Sequence, residues 1–283
     1  MSTLLKGSVV SKSINMELTK EIEFLNNNGI TPCLAIIRLG EKPDDLSYER
    51  SATKKLSGLN IDCKVFAFSA SMPQEELISA IRSINANNSI HGILLFRPLP
   101  KHINEDAIKF EIDALKDVDC VNPINLAKVF TGDETGFAPC TPAAVIETLT
   151  HYNIDLEGKN TVVIGRSMVV GKPLSMLLLK ENATVTICHS KTRNIKEICK
   201  SAEILIVAAG KARMVDDTYI SPGTIVVDVG INVDDDGKLC GDVDFEKVKD
   251  IADMITPVPG GVGAVTTSML AKHVVKAAMN TVG

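Results

Sequence analysis

The chain has 283 residues, of which 45% are hydrophobic and 23% are charged, and its formal net charge is −5 at pH 7. This length is enough for one large domain or two smaller ones, and the apolar content supports a substantial core. The mild negative charge argues against general electrostatic binding to nucleic acid or to an acidic membrane surface. An anionic ligand would therefore have to be bound by local groups.

Seven cysteines are present, and no CxxC pair occurs. An odd number without paired spacing fits a reduced, cytoplasmic protein, and each cysteine is most simply a small buried hydrophobe. The five histidines are scattered, so we expect no metal site. The stretch MSTLLKGSVVSKSINMEL has no long apolar run, so we expect no signal peptide. No segment approaches the roughly 18 apolar residues of a membrane span.

The first half of the chain alternates strand-like and helix-like segments. In chain order they are a strand at 32–40, a helix at 44–56, a strand at 62–70, a helix at 73–87 and a strand at 90–100. This β-α-β-α-β order predicts a parallel sheet covered by helices. Functional groups in such sheets gather beyond the carboxyl ends of the strands. The candidate turns are therefore those after 39, after 96 and at 115–123.

A second alternation follows the Pro-bracketed helix PCTPAAVIETLTHY, which begins near 139. Its predicted elements are a strand at 160–165, a helix at 171–181, a strand at 183–190, a helix at 194–200, strands at 202–210 and 223–230, and a last helix at 266–280. This pattern predicts a second α/β domain. The last helix follows the glycine-rich stretch TPVPGGVGAVT and could pack on either domain.

The segment TVVIGRSMVVGKPLSMLLL reads as a strand, a glycine turn and a helix. Backbone N–H groups at such a helix start bind phosphate, and glycine lets the ligand approach closely. The spacing is Gly165-x5-Gly171 rather than GxGxxG. By spacing alone the signal is weak, and a purely structural α/β unit is the alternative.

The end of the next strand indicates which dinucleotide the domain would bind. NAD enzymes of this architecture usually place an acid there to bind the ribose 2′-hydroxyl. Here the strand ends in CHSKTR, with Ser190, Lys191 and Arg193 and no acid. Arg166, directly after the first glycine, has a planar guanidinium suited to phosphate. The sequence therefore favours NADP over NAD, although each basic residue could also be a solvated loop charge.

Several motifs together closely resemble one family. They are CLAIIRLGEKPDDLSY, GILLFRPLP, KDVD and PCTP in the first half, and VVIGRSMVVGKP, ATVTICHSKT, VVDVGIN and ITPVPGGVGAVTTSML in the second. In this order along nearly the whole chain, they resemble the FolD family, methylenetetrahydrofolate dehydrogenase/cyclohydrolase.

The resemblance implies a two-domain α/β protein with a cleft between an N-terminal folate domain (1–138 plus 266–283) and a Rossmann-like NADP domain (139–265). It also implies a homodimer associating through the cofactor domains. The implied reaction is hydride transfer from 5,10-methylenetetrahydrofolate to NADP, which gives 5,10-methenyltetrahydrofolate. Many family members then hydrolyse that product to 10-formyltetrahydrofolate.

The family's functional residues carry over onto matching positions. Tyr48 and Asp119 match the folate-pocket tyrosine and the aspartate that bonds the pterin ring, although Asp119 read alone would be a turn or helix cap. The loop where folate and nicotinamide meet is matched by Pro259, Gly260 and Gly263. The cofactor positions are matched by Thr141, Gly165, Arg166, Ser167, Ser190, Ala208, Ile231 and Thr266.

Two positions depart from the family pattern. The family motif Tyr-x-x-x-Lys has Ala52 in place of its lysine, which is the central group for cyclohydrolysis. Phe96 replaces the glutamine that normally supports that lysine. Lys55 lies on nearly the same face of the predicted helix as Tyr48 but about 10 Å along it, and Arg97 is expected to point away from Phe96.

Direct hydride transfer is mainly a positioning task, whereas general acid–base help contributes roughly 10²–10⁴ in rate. We therefore predict a dehydrogenase with weak or absent cyclohydrolase activity. The nearest alternative is the bifunctional enzyme, with Lys55 or water in the missing role. A folate- or NADP-binding pseudoenzyme is the alternative from another class.

Overall fold

The computed structural model describes residues 2–282. Within this range the chain forms two compact units. The six-stranded unit comprises the N-terminal residues up to Lys12 together with Thr141–Thr266, and the three-stranded unit comprises Ser13–Cys140 together with the residues from Thr267 onward. Among the residues described, none of the helices has the length and apolarity that crossing a membrane requires.

Helices are numbered along the chain. Their bounds are α1 Gly7–Asn27, α2 Pro43–Ser57, α3 Gln74–Asn85, α4 Glu105–Glu111, α5 Pro123–Thr131, α6 Cys140–His151, α7 Gly171–Lys180, α8 Ile195–Lys200, α9 Phe245–Val248 and α10 Val262–Met279, with one turn of 3₁₀-helix at Asp217–Tyr219.

Strands are numbered in the same way. Their bounds are β1 Thr3–Leu4, β2 Cys33–Leu39, β3 Asp62–Phe68, β4 Gly92–Leu95, β5 Asn160–Ile164, β6 Thr184–Cys188, β7 Ile204–Val207, β8 Ile225–Asp228, β9 Asn232–Val233, β10 Leu239–Cys240 and β11 Met254–Ile255.

The larger sheet has the strand order β1-β11-β8-β7-β5-β6, and all of its pairings are parallel. Strands β7 and β8 are almost wholly apolar and buried, as expected for a parallel sheet covered on both faces. The chain leaves β5 towards β6 on one side and returns to β7 on the other. This reversal is the switch point at which open α/β sheets bind ligands.

The smaller sheet has the order β3-β2-β4, again parallel. Every residue of the central strand β2 is buried. Its alternate residues Cys33, Ala35, Ile37 and Leu39 join one hydrophobic core with residues of α3. The carboxyl ends of the three strands therefore meet at one edge of this sheet.

Helix α2 leaves that edge after β2. Pro43 occupies its first turn with two acids, and two lysines occupy its last turn. Proline fits the first turn because its missing N–H would be unpaired there anyway, and the charges complement the helix dipole. Ala52 and Leu56 are the buried residues of this helix. The predicted helix at 44–56 agrees with these bounds to within one residue at each end.

The predicted α/β class with two parallel-sheet units is confirmed, but the chain's first residues differ from the prediction. The predicted folate domain began at residue 1, whereas β1 pairs with β11 in the larger sheet. A two-residue strand has no periodic pattern, so this pairing gives no signal in the sequence. The last helix begins at Val262 rather than 266 because the glycine-rich stretch already supplies its first turn.

Candidate functional site

The crevice of the six-stranded unit begins with a glycine turn at the end of β5. Gly165 has φ +130°, a conformation that L side chains rarely adopt. A Cβ on Gly165 would lie less than 3.0 Å from the carbonyl oxygen of Ala208, and one on Gly171 would be as close to the carbonyl oxygen of Gly165. Glycine at both positions therefore lets α7 begin close against the strand ends, where the positive end of its helix dipole can attract phosphate.

A cavity of about 470 Å³ lies beyond the carboxyl ends of β5, β6 and β7. Its polar lining consists of hydroxyl, imidazole, guanidinium and ammonium groups, and none of the described residues that line it is an acid. An acid would repel a 2′-phosphate, whereas these groups can donate hydrogen bonds to one. The polar residues are Arg166, Ser167, His189, Ser190, Thr192, Lys211 and Tyr219.

Five of the eight predicted cofactor residues line this one cavity: Gly165, Arg166, Ser167, Ser190 and Ala208. Thr141, in the first turn of α6, and Thr266, in α10, are not part of its lining.

The loop after β6 also contains lining residues that the sequence reasoning missed. Thr192 Oγ1 accepts the His189 N–H at 2.9 Å, and His189 Nδ1 accepts the Lys191 N–H at 3.1 Å. His189 and Thr192 line the cavity, whereas Lys191 and Arg193 do not. Lys211, after β7, was missed as well. Their positions just after parallel strands are the signal that could have identified them.

A second cavity of the six-stranded unit measures about 180 Å³. It is lined by the glycine-rich stretch before and within the start of α10 and by the loop after β8. The predicted residues Ile231, Pro259, Gly260 and Gly263 all lie here. Gly260 has φ +102°, so this turn also requires glycine.

In the three-stranded unit, Tyr48 packs against Phe96. Their ring centroids are 5.6 Å apart, with the planes tilted by 42°. The Tyr48 side chain is 36% exposed. Burial of its hydroxyl raises the pKa of Tyr48, and the nearby Cys140 and Asp119 add to the rise. The hydroxyl is therefore neutral and can donate or accept a hydrogen bond at neutral pH.

Ala52 lies one turn after Tyr48 on α2 and is fully buried. Phe96 is 8% exposed and directly follows β4. Position 52 therefore presents a methyl group and position 96 an aromatic ring, and neither can move a proton.

The KDVD motif uses its two aspartates differently. Asp117 is fully buried and accepts the N–H groups of Val121 and Asn122 and the side-chain amide of Asn125, at 2.8–2.9 Å. Burial nevertheless raises the pKa of Asp117 to about 6. Asp119 accepts a backbone hydrogen bond from Cys140 N–H at 3.2 Å. Asp117 therefore fixes the loop, and Asp119 keeps acceptor capacity for a ligand.

Arg97 acts electrostatically on Asp119. The strand β4 ends at Leu95, so side-chain alternation no longer applies at Arg97. Arg97 Nη1 is 3.3 Å from Glu105 Oε1. Burial raises the pKa of Asp119, and Cys140 hydrogen bonds and the Arg97 charge oppose that rise.

Cys120, the residue after Asp119, has φ +58°. This is the left-handed region that glycine adopts without strain.

A glycine-turn cavity at the switch point of a parallel sheet is typical of a dinucleotide-binding α/β protein. Family models for tetrahydrofolate dehydrogenase/cyclohydrolase match both parts of the chain, the catalytic domain over residues 5–119 and the NAD(P)-binding domain over residues 139–282. The chain belongs to this family.

Individual relatives match this chain along nearly their whole length. The chain is 57% identical over 277 residues to the bifunctional protein FolD of Alkaliphilus oremlandii, covering 98% of this chain and 97% of that protein. The bifunctional FolD methylenetetrahydrofolate dehydrogenase/cyclohydrolase of Campylobacter jejuni has a TM-score of 0.97 at 43% identity and 99% coverage of both chains. The Trypanosoma brucei FolD, solved with NADP and an inhibitor, has a TM-score of 0.93 at 34% identity, covering 99% of this chain and 98% of that one.

Proposed function

We propose that this protein oxidises 5,10-methylenetetrahydrofolate to 5,10-methenyltetrahydrofolate with NADP. The observation that carries the proposal is the acid-free cavity of about 470 Å³ at the switch point of the larger sheet. It belongs to a chain whose relatives are named methylenetetrahydrofolate dehydrogenases. Bound NADP supplies the hydride acceptor.

In this proposal the chain's own residues bind and orient. Arg166 and Ser190 bind the 2′-phosphate, and the positive end of the α7 dipole attracts the diphosphate. Asp119 accepts hydrogen bonds from the pterin ring, and Tyr48 forms one wall of the folate pocket. No side chain has to transfer a proton, because the chemical step moves a hydride between two correctly placed carbons.

The dehydrogenase assay compares NADP with NAD at fixed 5,10-methylenetetrahydrofolate. We expect NADP to be used with the higher kcat/KM, and Arg166→Gln to raise KM for NADP more than KM for NAD. Turnover no faster than in enzyme-free buffer would refute the proposed function. A preference for NAD would refute the roles of Arg166 and Ser190.

Hydrolysis of methenyltetrahydrofolate is the reaction that distinguishes two candidate enzymes. The curated relatives are named bifunctional, which favours an enzyme that also hydrolyses methenyltetrahydrofolate to 10-formyltetrahydrofolate. The side chains at positions 52 and 96 favour a dehydrogenase with little hydrolysis. The names of the relatives give the bifunctional enzyme the better support. If this chain is bifunctional, it must hydrolyse methenyltetrahydrofolate without a lysine at position 52.

The hydrolysis assay measures loss of methenyltetrahydrofolate against the buffer rate at neutral pH. A robust enzymatic rate would establish the bifunctional enzyme and refute the monofunctional one. The double variant Ala52→Lys with Phe96→Gln tests the roles of the two positions. If they matter, it should hydrolyse faster than the wild type while its dehydrogenase rate changes little.

We further propose that the three-stranded unit binds folate, that the six-stranded unit binds NADP and that the enzyme is a cytoplasmic homodimer, as in the family that the sequence resembles. Sedimentation at micromolar protein with and without NADP tests the oligomeric state. A single species at the monomer mass of 30.4 kDa would refute the dimer.

A further inference from the structure

The loop after β7 is held by a buried carboxylate outside the cofactor cavity. Asp242 is fully buried. Its Oδ2 accepts the N–H groups of Ala209 and Gly210 at 2.6 and 2.9 Å, and its Oδ1 accepts the Lys211 N–H at 2.8 Å. Three successive N–H groups that converge on one point form an anion-binding nest. The chain fills this nest with its own carboxylate.

The carboxylate of Asp242 is itself fixed in place. Asn232 Nδ2 donates to Asp242 Oδ1 at 2.9 Å. The backbone N–H of Asp242 donates to Asp228 Oδ1 at 3.0 Å, and Asp228 also accepts the N–H groups of Gly230 and Val243, both at 2.9 Å. Two buried aspartates therefore connect the segments that follow β7, β8 and β10.

Glycines make this arrangement sterically possible. A Cβ on Gly230 would lie less than 3.0 Å from the Asp242 carboxyl carbon, and a Cβ on Gly241 would be as close to the Asp228 carboxylate. Both glycines are required by close approach rather than by an unusual φ. The carboxylates are therefore packed as tightly as core side chains and have little freedom to reorient.

The loop that Asp242 holds is part of the cofactor cavity. Ala208, Ala209 and Lys211 all line it, whereas Asp242 does not. Gly165 lies opposite this loop, and a Cβ there would collide with the carbonyl oxygen of Ala208. A shift of the loop would change the width of the cavity at its glycine turn.

We infer that Asp242 is a positioning residue for NADP. It pre-organises residues 209–211, so that binding does not have to order them, and preorganisation of this kind raises affinity. This inference rests on the proposed function, because it names a residue that shapes the same cofactor site without touching the ligand.

The test is the variant Asp242→Asn, which replaces one acceptor oxygen with an amide donor. Because buried N–H groups then lose their acceptor, we expect the Kd for NADP, measured by calorimetry, to rise at least about tenfold, which corresponds to about 1.4 kcal/mol. KM for NADP should rise in parallel, with kcat at saturating NADP within about twofold of wild type. Amide hydrogen exchange at 209–211 should accelerate while exchange in β5 and β7 stays slow.

Asp234→Asn is the matched control. Asp234 also accepts two backbone N–H groups, from Asp236 and Lys238, but these lie within its own hairpin loop. Its ion pair with Arg213 involves an exposed side chain outside the cavity lining and is of the kind that contributes little. This variant should leave the Kd for NADP unchanged. If Asp242→Asn does not fold, Asn232→Ala removes only one of the four donors to the carboxylate and should raise the Kd about threefold.

The outcomes separate this inference from the proposed function. Wild-type protein that does not bind NADP would overturn both. Wild-type binding with an unchanged Kd in Asp242→Asn and Asn232→Ala would overturn the inference alone. A lower kcat together with a lower free energy of unfolding, at an unchanged Kd for NADP, would show that Asp242 only stabilises the fold. That result would also overturn the inference.

Discussion

The substitution Gly165→Ala measures how strictly the glycine turn after β5 excludes a side chain. Two penalties combine there. A side chain at φ +130° costs about 1–3 kcal/mol in backbone strain. The new Cβ also collides with the carbonyl oxygen of Ala208, and overpacking of this kind costs about 1–3 kcal/mol. We expect Gly165→Ala to lower the free energy of unfolding by about 3 kcal/mol or more.

Gly158→Ala is the matched control, because it makes the same chemical change at another positive φ. Gly158 has φ +71°, and nothing lies within 4 Å of the place that a Cβ would occupy there, so we expect a loss of only about 1 kcal/mol. The gain from a less flexible unfolded chain is the same in both variants and cancels in the comparison.

The assay is urea unfolding of both variants without NADP, followed by measurement of the Kd for NADP. Gly165→Ala should be at least about 2 kcal/mol less stable than Gly158→Ala and should bind NADP more weakly, because strain and overpacking add at one site only. Equal losses of stability in the two variants would refute the steric reasoning.

Three further predictions concern charge, pH and packing. Ser190→Asp should lower kcat/KM for NADP by about a hundredfold and leave kcat/KM for NAD nearly unchanged, because the new carboxylate would repel the 2′-phosphate of NADP. The control Lys191→Gln lies outside the cavity lining and should change the ratio of the two kcat/KM values little. An unchanged ratio in Ser190→Asp would contradict the 2′-phosphate assignment. The raised pKa of Asp117, about 6, means that the folded state binds the proton more tightly than the unfolded state, so this contribution to stability is fully present at low pH and is lost as pH rises to about 6. The stability advantage of wild type over Asp117→Asn in urea should therefore be about 2 kcal/mol smaller at pH 7 than at pH 4, and a pH-independent difference would refute the shift. Phe96→Ala should lower the free energy of unfolding, measured by thermal unfolding, by about 3 kcal/mol. The control Phe130→Ala, at a residue that is 75% exposed, should lower it by less than about 0.5 kcal/mol. Similar losses in the two variants would show that Phe96 is not a packing residue.

Local signals explain which elements could be predicted. Helix α2 has a proline, acids and lysines in the positions that mark helix ends, so its bounds were predicted closely. Helix α1 was not predicted, although its buried residues Val10, Ile14, Leu18 and Ile22 recur every four positions. That spacing is a helical pattern, and it is the signal that could have identified this helix.

Site residues could be predicted from the sequence where they stand at the end of a single predicted strand. Gly165 and Ser190 are the last residues of the predicted strands at 160–165 and 183–190, and both line the same cavity. The role of Asp242 could not be predicted in this way. Its partners, residues 209–211, are about thirty positions away along the chain, and nothing in the letters GDVDF indicates which loop its carboxylate holds.

The pairing of β1 with β11 has a consequence for how this protein can be made. Thr3 and Leu4 align with Met254 and Ile255, so the larger sheet gains its last strand only after nearly the whole chain has left the ribosome. The boundaries between the units fall after Lys12, Cys140 and Thr266, so neither unit is one continuous stretch of the gene. Removal of the N-terminal segment would therefore damage the six-stranded unit, and removal of the C-terminal segment would damage the three-stranded unit. Isolating either unit would require its segments to be rejoined by a new linker.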